Sequence, residues 1–240
     1  MSNTLARRGL VRLAAVVLIV VAAGSSTLSQ ESVQIQIIPA PQQLTIKSGN
    51  FKIRRATRIA LADSTSKDDR FAAEDFAGDL KESAKVDLKI TKGRSSNSIL
   101  IGKLSLPIIQ ATLKQMAIPV PPQLDPEGYV LAVSDKQVII AGASEAGTFY
   151  GLQTLKQLVR GEGVDASIAG VEIVDWPAMR WRGVSDDVSR GPVPTVEYIK
   201  RQLRTFAAFK LNLHSFYMEQ TFGGTAHPLI GPEGGSLTPS

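Results

Sequence analysis

The segment from residue 181 to 218 constrains the fold more than any other, because its pattern predicts a strand, a helix and a strand in succession. "WRGVSDDV" has the composition of a strand, "GPVP" that of a loop and "LNLHSFYM" that of a second strand. Between them, "TVEYIKRQLRTFAAF" predicts a helix with Thr195 as its N-cap. Its apolar seam is predicted at Val196, Ile199, Leu203 and Phe206. This order makes the two strands parallel neighbours, and two parallel strands cannot close a barrel alone.

The region before residue 176 follows a different pattern, in which runs of short strands are interrupted by a few helices. Strands are predicted in "VQIQII" (33–38), "LTIK", "FKI", "RIALA", "DLKI" and "SILIG", with a turn at Gly49–Asn50 after "LTIK". "GYVLAVS" and "QVIIAG" predict a hairpin that turns at Asp135–Lys136. Because strand and helix do not alternate strictly, we expect an α+β domain with one sheet and two or three helices.

Three helices are predicted in this α+β domain. The first begins near Asp69 and has apolar residues at steps of three to five, namely Phe71, Phe76, Leu80 and Ala84. The second covers 105–117. The third is "SEAGTFYGLQTLKQLVR", with Ser144 at its start and a buried stripe of Phe149, Leu152, Leu155 and Leu158.

The amino-terminal residues have the three-part order of a secretory signal. Arg7, Arg8 and Arg12 precede an apolar run from 13 to 23, and small polar residues follow. A membrane anchor is the alternative, but a bilayer core needs about 20 apolar residues and this run is much shorter. We therefore expect a signal peptide over 1–23, a linker over 24–34, and export to the bacterial periplasm or the extracellular space without a stable membrane span.

The basic excess of the chain belongs largely to that signal. Lys and Arg total 27 and Asp and Glu total 22, so without the three signal arginines the balance is 24 against 22, a net charge of +2. No basic stripe with interleaved aromatic residues remains, and a nucleic-acid partner is not predicted. With no cysteine and two histidines, thiolate and histidine-rich metal sites are excluded. No metal and no organic cofactor is predicted.

Three stretches together resemble glycoside hydrolase family 20, the β-N-acetylhexosaminidases. They are "IIPAPQQLTIKSGNFKI", "EGYVLAVSDKQVIIAGASEAGTFYGLQTLKQLV" and "WRGVSDDVSR…YIKRQLRTFAAFKLN". The resemblance covers roughly residues 35 to 215. It implies an α+β domain over 35–175, followed over 176–240 by the first strand, helix and second strand of an incomplete (β/α)8 barrel.

The resemblance also implies the chemistry. In this family the acetamido oxygen of the substrate attacks the anomeric carbon, in a substrate-assisted retaining mechanism. The family's general-acid glutamate and its neighbouring aspartate lie on a later barrel strand, and nothing in this sequence corresponds to that Asp-Glu pair. We therefore expect no catalytic residue in this chain, an inactive fragment, and a parent enzyme that hydrolyses glycans carrying terminal N-acetylhexosamine.

Three residues are predicted to contact substrate. Arg182 matches the family's arginine at the start of the first barrel strand, which grips sugar hydroxyls; pairing with a structural aspartate is the alternative. Asp187 matches the aspartate of the family's Asp-x-Ser-Arg signature, and it either organises a loop or touches substrate. Glu219 follows the second strand, where barrel enzymes keep their sites, or is a solvated carboxylate.

The sequence departs from the family at three positions, and the departure in the second strand leaves rival functions open. Gly191 stands where the family has histidine, and His214 is offset by one position, which on a strand means the opposite face. Asp186 stands where the family is apolar. The rivals are another hydrolase with this predomain, such as an α-glucuronidase or an O-GlcNAc-hydrolase-like enzyme, and a non-catalytic carbohydrate-binding module.

Overall fold

The computed structural model describes residues 35–92, 97–190, 192–231 and 236–237. The predicted signal peptide and linker lie outside these residues. The strands are β1 Gln43–Lys52, β2 Arg58–Leu61, β3 Lys89–Lys92, β4 Ser98–Lys103, β5 Tyr129–Val133, β6 Gln137–Gly142, β7 Val159–Arg160, β8 Ser167–Asp175, β9 Gly183–Asp187 and β10 Leu213–Tyr217. The helices are α1 Lys67–Ser83, α2 Pro107–Gln115, α3 Glu145–Leu158 and α4 Val196–Ala208, with a 3-10 turn at Gly163–Asp165.

One mixed sheet organises the residues up to 175. Its strand order is β1-β8-β5-β6-β4-β2-β3, and β7 pairs with β8. Strands β6, β4, β2 and β3 are parallel to one another, whereas β1, β8, β5 and β6 pair antiparallel. Helices α1 and α3 cover one face in a large apolar cluster, and α2 covers the other face in a smaller one. The predicted hairpin of β5 and β6 is confirmed.

Side-chain caps fix where three of the helices begin. Ser66 accepts a hydrogen bond from the Asp69 amide, and the predicted caps Ser144 and Thr195 accept from the amides of Ala146 and Tyr198. Each cap satisfies one of the amides that a helix start leaves without a partner. The chain direction at each helix entrance is therefore set locally.

The amino-terminal strand predictions need correction. Residues 35–38 of "VQIQII" form no strand, and "LTIK" and the first two residues of "FKI" belong to the single strand β1, which ends at Lys52. The predicted turn at Gly49–Asn50 is a bulge, because both halves of β1 pair with β8. Gly49 lies in the bulge with φ +86°, a conformation that glycine adopts readily. The bulge packs closely on Gly170, where an added β-carbon would lie 2.9 Å from the Gly49 carbonyl oxygen.

Strands β9 and β10 form a separate two-stranded parallel sheet, as predicted, with Gly183 opposite Leu213 and Asp187 opposite Tyr217. Helix α4 contacts one face of this pair, through Gln202 against Asp186 and Phe206 against His214. The other face, which we call the bare face, holds Ser185, Asp187, Leu213, Ser215 and Tyr217, all exposed. The predicted apolar seam of α4 is only partly covered, since Val196 is 60% and Leu203 is 45% exposed.

Candidate functional site

Asp187 is the last residue of β9, and Glu219 follows the end of β10 by two residues, so both lie at the carboxyl ends of the pair. Tyr217 lies opposite Asp187 on the bare face, and its hydroxyl donates to Glu219 Oε1 at 2.9 Å. Glu219 raises the pKa of the Tyr217 phenol, and the Asp187 charge adds to this. Glu219 has φ +46°, a left-handed conformation that few non-glycine residues adopt. Tyr217 was not predicted as a site residue, although period-two alternation places it on the face of Asp187.

Asp187 organises the turn that leaves β9. Its Oδ1 accepts from the Ser189 amide at 2.9 Å and from the Ser189 hydroxyl at 2.5 Å. These hydrogen bonds hold the pKa of Asp187 below its ordinary value, so the carboxylate is ionised at neutral pH. This contact corresponds to the loop-organising alternative considered for Asp187. The predicted substrate contact stays a prediction.

Asp186 lies on the face of β9 opposite to Asp187, where its carboxylate contacts α4 and β10. Its Oδ2 accepts from Gln202 Nε2 at 3.1 Å and lies 3.2 Å from His214 Nε2. Phe206 and Phe216 pack edge-on against the His214 ring. Asp186 and His214 therefore join α4 to the two strands. A cavity of about 500 Å³ lies beside them, lined by Asp186–Val188, Pro192–Thr195, Tyr198 and Gln202.

Arg182 lies at the opposite, amino-terminal end of β9. Its Nε donates to the Lys210 carbonyl at 2.8 Å and one terminal nitrogen donates to the Met179 carbonyl at 2.8 Å. The other terminal nitrogen forms an ion pair with Glu127, and the guanidinium lies over the Tyr150 ring. Arg182 thus forms a structural ion pair, although its partner is Glu127 and not the aspartate that the alternative named. The structure does not bring Arg182 together with Asp187 and Glu219.

A buried polar network continues from Arg182 into the α+β domain. Lys210 Nζ lies 2.7 Å from Asp175 Oδ2 and 2.9 Å from the Tyr129 hydroxyl, which also bonds to Thr154. Burial lowers the pKa of Lys210, and burial together with Asp175 raises the pKa of Tyr129 well above its usual value. The network borders a cavity of about 210 Å³ that Trp176 and Pro177 help to line. None of the residues in this network was predicted from the sequence. The available signal was that Asp175 and Lys210 each follow an apolar run.

The carboxyl ends of the parallel strands β2, β4 and β6 hold another charged group. Lys103 pairs with Glu145 at 2.6 Å, and this ion pair lowers the pKa of Glu145. Asp69 is 0% exposed, and neither of its carboxylate oxygens has a hydrogen-bond partner among the described residues. Burial, with Glu145 nearby, raises the pKa of Asp69 by more than the neighbouring Ser66, Lys103 and Thr148 lower it. The buried charge therefore destabilises the fold at neutral pH.

We expect Asp69→Asn to stabilise the protein at neutral pH by about 1 kcal/mol, because it removes an unpaired buried charge. The folded-state pKa of Asp69 lies above its unfolded value, so the advantage shrinks as pH falls through the folded pKa and Asp69 takes up a proton. Urea unfolding at neutral pH and at about pH 4.5 measures the difference. Asp68→Asn is the matched control: Asp68 is exposed in the same helical turn, and its loss should destabilise slightly. A variant at Asp69 that is less stable at neutral pH would contradict the expectation.

Within the ranges that the structure describes, no cluster of three or more histidine, aspartate or glutamate side chains is placed to hold a metal ion. No described helix is long and apolar enough to cross a membrane.

Comparison with known proteins identifies related sequences. Residues 34–176 match the family described as "Glycosyl hydrolase family 20, domain 2". A beta-hexosaminidase of Porphyromonas gingivalis is 35% identical over 196 residues, which are 78% of this chain and 23% of that protein. A beta-hexosaminidase of Vibrio furnissii is 30% identical over 102 residues, 42% of this chain and 16% of that protein. The chain thus spans less than a quarter of the length of either relative.

Solved structures show the same fold. A chitobiase of Flavobacterium johnsoniae superposes with a TM-score of 0.67 and 22% identity, covering 85% of this chain and 31% of that one. A family 20 β-N-acetylhexosaminidase of Streptomyces coelicolor gives a TM-score of 0.63 and 24% identity, covering 78% of this chain and 35% of that one. The mixed sheet with its helices is therefore the fold of the matched family domain.

Proposed function

The chain belongs to glycosyl hydrolase family 20, and from that premise we propose that the whole protein is an exported β-N-acetylhexosaminidase. It removes terminal N-acetylglucosamine or N-acetylgalactosamine from glycans with retention of configuration. The acetamido oxygen of the substrate bonds to the anomeric carbon as the glycosidic bond breaks, and water later opens this intermediate. The family match over more than half of the chain and the name of the Porphyromonas relative support the proposal.

Residues 176–240 are proposed to open a (β/α)8 barrel, with β9 as its first strand, α4 as its first helix and β10 as its second strand. Parallel sheets are almost always covered on both faces. Here α4 covers one face, while Leu213 and Tyr217 on the bare face are 49% and 54% exposed. A parallel pair with one helix-covered face and one bare face supports a barrel whose interior side is the bare face.

The observation that carries the proposed function is the position of Asp187 and Glu219. They lie at the carboxyl ends of two parallel strands, the end at which β/α barrel enzymes hold their substrates. In this proposal they bind or orient the sugar, with Tyr217 beside them as a hydroxyl donor. The sugar contact predicted for Arg182 remains part of the proposal and is the least supported, because the hydrogen bonds of Arg182 go to protein groups.

We expect the 240-residue chain to release no 4-nitrophenol from 4-nitrophenyl N-acetyl-β-D-glucosaminide, since the acid that the family resemblance implies is absent from its sequence. The whole protein, produced from its gene, is expected to release it. The matched control substrate is 4-nitrophenyl β-D-glucoside, which lacks the acetamido group and should be left intact by the whole protein.

Three different results would contradict parts of this proposal. Release by the 240-residue chain would show that its own residues suffice for catalysis. Equal hydrolysis of the two substrates by the whole protein would overturn the substrate-assisted mechanism. Tight calorimetric binding of chitobiose by the 240-residue chain would instead favour a binding module.

A further inference from the structure

Lys210 occupies a strained position between α4 and β10. Its backbone has φ +59°, and its amide donates to the Ala207 carbonyl, which ends the helix. A non-glycine residue rarely adopts the left-handed conformation unless surrounding contacts hold it there. Lys210 has such contacts on two sides: its side chain enters the α+β domain, and its carbonyl accepts from Arg182 Nε.

The charge of Lys210 is buried with a single carboxylate. The side chains of Lys210 and Asp175 are each 8% exposed, and the Asp175 carboxylate also accepts from the Tyr129 hydroxyl at 2.8 Å and the Gln42 amide at 3.1 Å. A buried ion pair gives little net stability, yet removing one partner is strongly unfavourable because the other is left unpaired. Such a pair is suited to fixing one arrangement of two packed elements.

Asn212 provides a second attachment two residues further on. Its side-chain oxygen accepts from the Arg182 amide at 2.9 Å, and its side-chain nitrogen donates to Glu127 Oε1 at 3.0 Å. Glu127 also pairs with the Arg182 guanidinium. The residues that precede β9 and β10 are thus both tied to the loop before β5.

We propose that Lys210 is a positioning residue: together with Arg182 and Asn212 it clamps the amino ends of β9 and β10 to the α+β domain. Each strand has five residues, so the clamped amino ends lie about 13 Å along the strands from Asp187 and the Tyr217–Glu219 contact. Fixing the amino ends therefore also fixes where the carboxyl ends lie. The α+β domain thereby sets the geometry of the carboxyl-end site. The clamp itself is independent of the proposed function, but its effect on catalysis rests on that function.

Hydrogen exchange of the 240-residue chain tests the clamp directly. In Lys210→Met, amides of 183–187 and 213–217 should exchange at least about tenfold faster, while those of β5 and β6 keep their rates within about twofold. Lys156→Met is the matched control. Lys156 pairs with Asp75 and Asp79 between α3 and α1, so its loss should speed exchange in α1 and leave β9 and β10 within about twofold of the unaltered chain.

An unchanged rate in β9 and β10 would overturn the proposal, as would an acceleration spread evenly over the sheet. If Lys210→Met does not fold, Asp175→Asn removes the same ion pair from the other partner and carries the same expectations. In the whole protein, Lys210→Met should raise KM for the aryl N-acetylglucosaminide about fivefold or more with a smaller change in kcat. The Lys156→Met control should change neither. Should the whole protein lack this activity, the proposed function fails while the exchange data still decide on the clamp.

Discussion

Replacing Gly147 with alanine is expected to destabilise the fold by about 2–3 kcal/mol, although alanine is the better helix former. Gly147 lies in α3, and a β-carbon at this position would overlap the carbonyl oxygen of Gly128. Backbone cannot move aside as a flexible side chain can. Helix α3 would have to move away from the loop before β5. This loop carries Glu127, which pairs with Arg182 and Asn212.

The control for this change lies in α1. Gly78 is exposed, and a β-carbon there would meet nothing within 4 Å. Gly78→Ala should therefore stabilise the protein by about 0.5–1 kcal/mol through helix propensity alone. Urea unfolding monitored by circular dichroism measures both variants. The steric account fails if the two substitutions shift stability in the same direction.

Replacing Phe76 with alanine is expected to cost about 3–5 kcal/mol. Phe76 is 0% exposed and fills the space between α1 and the sheet, so its loss leaves a cavity as well as lost apolar contact. Thermal and urea unfolding should show a large fall in stability with the secondary structure retained below the transition.

Phe71 in the same helix is the matched control for Phe76. It is 63% exposed and stacks on Phe149, at 6.3 Å between ring centroids. Phe71→Ala should therefore change stability by about 1 kcal/mol or less. Similar losses from both alanine variants would mean that α1 packs with a different face toward the sheet.

The predicted apolar stripe of α1 was wrong at Phe71, which is 63% exposed. Phe76, Leu80 and Ala84 recur at steps of four residues and share one side of the helix, whereas Phe71 lies five residues before Phe76, about 140° around the helix axis. A strict helical period therefore separates the buried phenylalanine from the exposed one. Local chemistry was more informative at helix starts, since the Ser144 and Thr195 caps depend on neighbouring amides alone. The β1 bulge was missed because it depends on β8, more than a hundred residues away.

Some features of the candidate site could be predicted from the sequence and others could not. Strand alternation separates Asp186 from Asp187, and both side chains lie on the faces that this rule gives. Apart from the nearby carbonyls of Met179 and Arg180, the partners of Arg182, Lys210 and Asn212 could not be predicted, because they come from strands and loops 28 to 85 residues away in the chain. A single sequence shows that a charge must be compensated, but not by which side chain.

The order of the large sheet also bears on how the protein avoids aggregation. Its two outermost strands, β1 and β3, each expose a row of backbone groups that could template the addition of a foreign strand. Exposed lysines lie on both of them, Lys47 and Lys52 on β1 and Lys89 and Lys92 on β3. The bulge in β1 further interrupts its regular pleat. Like-charge repulsion and an uneven rim therefore discourage molecules from joining edge to edge at high concentration.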